Sequence, residues 1–505
     1  MTAAADQRAL DAALHWLRGV APHARLVADS RRVRSGDVFV AVPGGRADGR
    51  AFIDTALASG AIAVMHEAQG AELRAPGAPA LAVDGLTRIA GSLARAHYGA
   101  PDASMLTIGV TGTNGKTTCT SWLAHALNRL GQRCATIGTL GAGFPGALDS
   151  TGLTTPDIWR LHEAVRDLHA QGAQALAIEV SSIGLDQGRL DGLHFDVVVF
   201  TNLTRDHLDY HGTMAEYEAA KARLFDRREA RAAVVVLDDA AGPRMAARAR
   251  GNGIRTMGVT LSDVADASAV EHLIRAYDVR TLRDGTAFAV RLDDGAVFNV
   301  ELGVLGRYNV INWLACLGAL IGAGIDAQAA VDALRDVAPA EGRLQCVQPA
   351  QAGAAPLVVV DYAHTPDALE NALEALRPVA RVRGGRLIAI CGCGGNRDKG
   401  KRPLMAAAAA KLADVVVLTS DNPRNEDPAA ILNDMRAGLP AHAVHRVELD
   451  RREAIRSTIT QADARDVILL AGKGHERTQD IAGVQHPFYD PDEARDALAA
   501  REAHA

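Results

Sequence analysis

The chain is poor in the residues that mark several common protein classes. Only six of its 505 residues are cysteine, and none forms a Cys-x-x-Cys pair. Cys391 and Cys393 share "ICGCGGN", while Cys119, Cys134, Cys316 and Cys346 are scattered. A zinc site needs more ligands at suitable spacing, so the reading is reduced, mostly buried thiols of a cytosolic protein. Aromatic residues are 4% of the chain, so aliphatic, alanine-rich cores are expected. Long apolar runs are missing too. "LACLGALIGAGI" has 12 residues, whereas a membrane span needs ~20. The opening "MTAAADQRALDAALHWLRGV" lacks the apolar centre of a secretory signal. Excess positive charge is also absent. With 54 Lys and Arg against 60 Asp and Glu, the formal charge is −6. That argues against a general nucleic-acid binder but leaves room for a local basic pocket holding a nucleotide. The expectation is a cytoplasmic, monomeric protein with small-molecule partners and with neither nucleic acid nor membrane among them.

What is present is an alternation of strands and helices. The length fits about three domains at roughly 150 residues each. In the first, "DVFVAV" reads as a strand, "AFIDTALASGA" as a helix and "AIAVMH" as a strand; "YGAPDASM" then breaks the pattern near residue 103. The second opens with "MLTIGV", a glycine loop and a helix from Lys116 to Leu130. The short apolar strands "ALAIEV", "DVVVFTNL" and "AAVVVL" follow, with helices between them. Such alternation means a parallel sheet with helical crossovers. From 275 to 305 the period falls to two, which predicts an antiparallel addition. "APAEGRLQ" reads as a second linker near residue 340. In the third segment "PLVVVDY", "RLIAICG", "DVVVLTS" and "DVILLAGKG" predict another doubly wound unit. The fold class is therefore α/β in three parts: 1–103 mixed, 104–340 a P-loop-type parallel sheet, and 341–505 Rossmann-like.

"GVTGTNGKTT" (Gly109 to Thr118) lies between a predicted strand and helix. Gly112, Thr113, Asn114, Gly115, Lys116, Thr117 and Thr118 would turn backbone N–H groups and a helix N-terminus toward phosphate oxygens. Lys116 would reach the β- and γ-phosphates, and the Thr117 hydroxyl would take Mg²⁺. The spacing departs from the usual pattern, because Val110 stands where the first glycine belongs. No Asn-Lys pair of the guanine-reading type occurs, so ATP is expected. Glu179 ends the strand of "AIEVSS", a position suited to metal. His207 and His211 follow another strand end beside Asp206 and Asp209, and His207 is the better candidate for a metal or phosphate contact. Lys221, on helical spacing in "EYEAAKARLF", reads on its own as a solvated lysine. "SDNPRNEDP" (420–428) has two readings. Asp427 and Pro428 make an ordinary helix start, so the stretch is a strand-to-helix turn; alternatively Arg424, behind Pro423, reads a negative charge on a ligand.

The motifs "GTNGKT", "EVSS", "TNLTRDHLDYHG", "EAAK", "GRYNVINWLA", "EGR", "DYAHTPDAL", "GNRDKGKRPLM", "DNPR" and "AGKGHE" occur in this order. In this respect the chain resembles the Mur ligases, and through "DNPR" their diaminopimelate-adding branch. The resemblance implies a uridine-nucleotide domain, a central ATPase and a Rossmann-like amino-acid domain. It implies that Ser30, Gly45, Arg46 and Ala47 meet the uridine nucleotide, although relatives often carry His-Gln where this chain has Gly45 and Arg46. Thr154, Thr155, Ser181, Gln187 and Arg189 correspond to muramoyl-peptide contacts, and Asn309, Arg343, Asp361 and His364 to positions around ATP. Arg397, Asp421, Asn422, Pro423, Arg424, Gly472 and Glu476 correspond to the amino-acid site. Lys221 corresponds to a carbamylated lysine whose anionic oxygens join Thr117, Glu179 and His207 in holding Mg²⁺. Lys116, Glu179, His207 and Lys221 are then the catalytic set. The implied reaction activates the D-glutamyl γ-carboxylate of UDP-MurNAc-dipeptide as an acyl phosphate, which the amine of meso-diaminopimelate attacks. A folylpolyglutamate-synthase-type ligase, or a P-loop protein that hydrolyses ATP to move a partner, are the rival readings.

Overall fold

A computed structural model describes residues 2–44, 47–70, 77–263, 267–347 and 355–502. The chain divides into two compact units, residues 1–273 with 315–333, and residues 274–314 with 334–505.

The first unit holds two sheets. The smaller is parallel and runs Leu26–Val27, Val38–Ala41, Ala63–Glu67, Ala80–Val83. Leu86–His97 and the N-terminal helix pack on it through Leu17, Leu86, Ile89 and Leu93. In the larger sheet the strand Leu106–Thr111 lies between Ala175–Glu179 and Val197–Phe200, all parallel. The chain leaves Leu106–Thr111 to one side and returns on the other. Such a switch opens a crevice at the carboxyl ends of the strands, and the loop 112–115 fills that position. Both faces of these strands are covered, so Ala175–Glu179, Val197–Phe200 and Ala232–Val236 are buried at every residue. This is why they read as unbroken apolar runs. Beyond Cys134–Gly138 the sheet turns antiparallel through Gly141–Phe144 and Ala147–Asp149, an addition the glycine-rich sequence did not suggest.

The second unit carries nearly all of the expected antiparallel piece, His272–Thr281 with Thr286–Leu292 and Val297–Leu302. Its main sheet has the order Gln345–Val347, Leu357–Asp361, Val467–Ala471, Leu387–Cys391, Val415–Thr419, His445–Glu448. All but the first strand run parallel. The carboxyl ends of four of them therefore deliver "DYAH", "CGCGGN", "DNPR" and "AGKGHE" to one edge. The core on one face, built on Leu369, Leu373, Leu387, Met405 and Leu432, contains no aromatic side chain among the described residues. Each fully buried Leu, Ile or Val contributes about 1.5–3 kcal/mol, so an aliphatic core of this size suffices. Asp427 accepts from Ala429 N and Pro428 opens the helix Pro428–Arg436, as its sequence predicts. Among the described residues no helix is long and apolar enough to cross a membrane.

One ion pair in this unit is fully enclosed. Arg451 donates through Nε and Nη2 to Asp490 at 2.8 and 2.6 Å, and both side chains are 0% exposed. Arg451→Met leaves the Asp490 carboxylate buried and unpaired, which costs about 3–5 kcal/mol. The Arg451→Met/Asp490→Leu pair, which removes both charges, recovers most of the loss. Denaturant or thermal melts of the three proteins check this order.

Candidate active site

The loop after Leu106–Thr111 is held by its neighbours before any ligand is considered. Thr113 N donates to Asn202 O at 2.9 Å and Asn114 N to Asn202 Oδ1 at 2.9 Å, while Thr201 Oγ1 donates to Asn114 O at 2.6 Å. Gly112 has φ +151, and a Cβ there would lie 1.9 Å from Thr201 Oγ1. Gly112 thus supplies the close approach that the usual first glycine would give, and Val110 sits inside the strand. Gly115, at φ +86, starts the helix Lys116–Arg129, whose first turn holds the buried Thr117 and Thr118. The ammonium of Lys116 folds over the loop, donating to Gly112 O and Thr113 O at 2.8 Å each.

Lys221 reaches the same carbonyl. Its Nζ donates to Gly112 O at 2.8 Å and lies 4.4 Å from the Tyr217 ring centre. The side chain is 1% exposed, so the reading of a solvated helix lysine is overturned. The helix Met214–Ala222 turns this position inward against the loop. Burial, with the nearby Lys116 charge, pushes the Lys221 pKa well below the ordinary lysine value. Tyr217 OH meets Thr113 Oγ1 at 3.1 Å, and burial raises the phenol to about 12.

Glu179 is 1% exposed and fixed from one side. Thr139 N donates to Oε1 at 2.9 Å and Thr139 Oγ1 to Oε2 at 3.0 Å. A Cβ at Gly138 would stand 2.3 Å from Oε1, so glycine is required there. The expected peptide-binding residues join the same network. Thr139 Oγ1 meets Thr154 Oγ1 at 3.0 Å, Thr155 Oγ1 donates to Glu179 O, and Ser181 N donates to Thr155 Oγ1. Arg189 donates to Thr155 O at 2.7 Å and to Gln187 Oε1. Desolvation lowers the Arg189 pKa against the nearby charges of Asp157 and Tyr210. His207 is a left-handed residue at φ 52 with its ring 3.6 Å from Asp206. His211 is buried, and its Nε2 meets Ser182 Oγ at 3.0 Å. Ser30 opens a short 3₁₀ turn capped by Asp29, and Ala47 O accepts from Gly44 N. Gly45 and Arg46 lie outside the described residues.

In the second unit, Asp361 accepts from Leu344 N and Ala363 N at 2.8 and 2.9 Å, and burial raises its pKa against the pull of Arg343. The Arg343 guanidinium lies 5.0 Å from the Tyr362 ring, which also packs on His364. Asn309 is 3% exposed, and its amide is engaged with Leu305 O and Asn312. At the sheet edge, Asp421 and Asn422 are buried, and Asn422 Nδ2 donates to Glu476 Oε2 at 2.8 Å. A Cβ at Gly472 would lie 2.8 Å from Asp421 Oδ2. Arg424 is left-handed at φ 51, a conformation costing a non-glycine residue about 1–2 kcal/mol. Pro423 alone does not hold it there. Arg424 N donates to Asp480 O and Ala482 N to Arg424 O, at 2.9 and 2.7 Å, so the hairpin Thr478–Ile481/Val484–Pro487 grips its backbone. Its Nη1 donates to Gly395 O at 2.8 Å. Arg397 is exposed in the loop that follows Leu387–Cys391. That loop is anchored by Glu426, whose carboxylate is held down to about 2 by Asn396 N and Arg402.

Family models match three successive stretches: the Mur ligase family catalytic domain over residues 24–98, the Mur ligase middle domain over 110–320, and the Mur ligase glutamate ligase domain over 342–474. A protein of Ralstonia nicotianae named UDP-N-acetylmuramoyl-L-alanyl-D-glutamate--2,6-diaminopimelate ligase is 50% identical over 97% of this chain and 96% of its own. The chain belongs to the Mur ligase family. A Janthinobacterium protein of the same name is 49% identical over 98% of this chain and 97% of its own. A solved structure of an enzyme of that name is 39% identical, covers 95% of both chains and superposes with a TM-score of 0.69. This Mur ligase brings to the candidate sites residues that the motifs did not single out. Thr139, Thr201, Asn202, Tyr217 and Lys473 reach them only through the fold, although Thr201 and Asn202 stand in the quoted "TNLTRDHLDYHG", Tyr217 in "EYEAAKARLF" and Lys473 in "AGKGHE".

Gly112→Ala pushes a methyl into Thr201 and moves the loop. A displacement near 1 Å lowers turnover ~10²-fold, with the circular dichroism spectrum unchanged. Steady-state phosphate release checks it.

Proposed function

We propose that the protein is an ATP-dependent, amide-forming ligase. It adds meso-2,6-diaminopimelate to UDP-N-acetylmuramoyl-L-alanyl-D-glutamate in the cytoplasm, as a step of peptidoglycan precursor synthesis. The observation that carries the reading is the gathering of Asp421, Asn422, Arg424, Gly472 and Glu476 at one sheet edge in a chain half identical to enzymes of that name. The three matched stretches support domains at 1–103, 104–340 and 341–505 for the uridine nucleotide, ATP and the amino acid.

The loop N–H groups and the Lys116 ammonium hold the phosphates; to do so Lys116 exchanges two loop carbonyls for phosphate oxygens. Arg189, with Thr154, Thr155, Ser181 and Gln187, places the muramoyl peptide so that its γ-carboxylate meets the γ-phosphate. Attack expels ADP and leaves an acyl phosphate. The diaminopimelate amine then attacks the acyl carbon and expels phosphate. Asp421 and Glu476 suit the ammonium of the amino acid, and Arg424 with Arg397 suits its carboxylates.

The donor set fits magnesium: the Thr117 hydroxyl, the oriented Glu179 carboxylate, the His207 imidazole, and Lys221 once carbamylated. Among the described residues no three His, Cys, Asp or Glu cluster as a metal cage; magnesium here would also take water and phosphate oxygens. Magnesium, when bound, offsets the repulsion between carboxylate and phosphate. Burial shifts the Lys221 amine toward its unprotonated form, the form that adds CO₂ to give an anionic carbamate and release a proton. Lys221→Ala is nearly inactive, and a small added carboxylate partly restores it. Full activity of the unmodified protein in CO₂-free buffer would count against the carbamate.

Diaminopimelate differs from lysine by one distal carboxylate. With lysine bound, the Arg424 guanidinium is left without its partner, so lysine is rejected by roughly 10⁴–10⁵ in kcat/KM. Arg424→Ala and Arg424→Lys lose diaminopimelate use, because an ammonium cannot reproduce the planar, two-pronged contact. Side-by-side ligation assays decide it; lysine used within about tenfold of diaminopimelate, ~1.4 kcal/mol, reduces Arg424 to a turn residue.

A further inference from the structure

We infer that Lys473, which touches no reactant, is the positioning residue that sets the amino-acid site. Its side chain is 0% exposed, and its Nζ lies 3.1 Å from Asn422 Oδ1, 3.0 Å from Glu476 Oε2 and 2.7 Å from Thr478 O. An ammonium has three protons to donate, so these three acceptors account for all of them and leave none for a ligand. The inference rests on reading this edge as the amino-acid site.

Each acceptor governs a separate part of that site. Asn422 Oδ1 takes Lys473 together with Asp480 N at 3.0 Å, which fixes which end of the amide is oxygen and turns Nδ2 toward Glu476. Glu476 Oε2 accepts from both Lys473 and Asn422, so Oε1 remains the oxygen for the amino acid's ammonium. Thr478 begins the hairpin whose Asp480 O and Ala482 N grip the Arg424 backbone. One enclosed charge thereby sets the direction of an amide, the usable oxygen of a carboxylate and the seat of the specificity arginine. Burying an ammonium carries a desolvation penalty of several kcal/mol unless it is paired and hydrogen-bonded. An apolar residue would fill the space without that penalty, which makes positioning the reason for a lysine here.

Lys473→Met keeps the length of the side chain and removes every donor. The test compares two nucleophiles in the full-length enzyme with ATP and the muramoyl dipeptide nucleotide. Diaminopimelate needs the amino-acid site, whereas hydroxylamine captures the acyl phosphate as a hydroxamate without it. Lys473→Met is expected to raise KM for diaminopimelate at least tenfold, while the hydroxamate rate and KM for ATP stay within twofold of wild type. Lys473→Gln, which keeps two donors, falls between the two. An unchanged KM for diaminopimelate, or an equal loss with both nucleophiles, overturns the inference. Should Lys473→Met prevent folding, Lys473→Met/Glu476→Gln removes both charges together and is read against Glu476→Gln alone. A further rise in KM, acting through Asn422, supports the positioning role, and no further rise overturns it. A wild-type enzyme that forms hydroxamate but ignores diaminopimelate sinks the proposed substrate instead, so the two failures are distinct.

Discussion

Two lysine nitrogens converge on one carbonyl oxygen, that of Gly112, each at 2.8 Å. That meeting organises the phosphate site. Two full positive charges do not sit comfortably against one neutral acceptor in a buried place. Lys116 is the less buried of the two, while burial and the Lys116 charge push the Lys221 pKa well below the ordinary lysine value. A cation at Lys221 would disfavour a bound metal, whereas a neutral amine there is open to the carbamate proposed above. The loop's shape, the closeness of Thr201 and the inward turn of the helix Met214–Ala222 all serve to bring those nitrogens together.

A second constraint is the density of backbone at the ends of parallel strands. A Cβ at Gly392 would sit 2.3 Å from Thr419 O, and one at Gly395 would sit 1.9 Å from Pro423 O. The glycine-rich "CGCGGN" and the "DNPR" turn therefore pack backbone against backbone. Side chains such as Asp421 and Arg424 then project from a rigid floor, which lowers the ordering loss when a ligand binds. In the first unit Gly112 and Gly138 instead make room for side chains, Thr201 Oγ1 and the Glu179 carboxylate.

Much of this was legible in the chain. Parallel strands covered on both faces appear as runs such as "DVVVF" and "VILLA", and the turn chemistry of Asp427 and Pro428 is local. The phosphate loop was legible despite Val110, because Gly112 takes over the close approach. What escaped notice depends on tertiary contact. Lys221 has the spacing of a solvated helix residue, and only the loop packed over it makes it buried. The strands Gly141–Phe144 and Ala147–Asp149 are too rich in glycine to carry a strand pattern. Lys473 was hidden inside "AGKGHE" beside two residues that attracted attention, Gly472 and Glu476. The hairpin after it is mostly polar, with only the Ile481–Val484 pair apolar, and shows no period-two alternation.

That hairpin buries very little of itself. Every residue of Val484–Pro487 is exposed, and Thr478–Ile481 is only partly covered. Its order is borrowed from Lys473 below and from the Arg424 backbone beside it. Segments with so little enclosed apolar surface open at far lower free energy than the sheet they decorate. If this edge selects the amino acid, as proposed, that choice depends on a loosely held hairpin, while activating the carboxylate depends on strands buried at every residue. Warmth would therefore erode fidelity before it erodes turnover, and a cell wall built near the upper edge of tolerance would register the error in its composition before the enzyme stopped working.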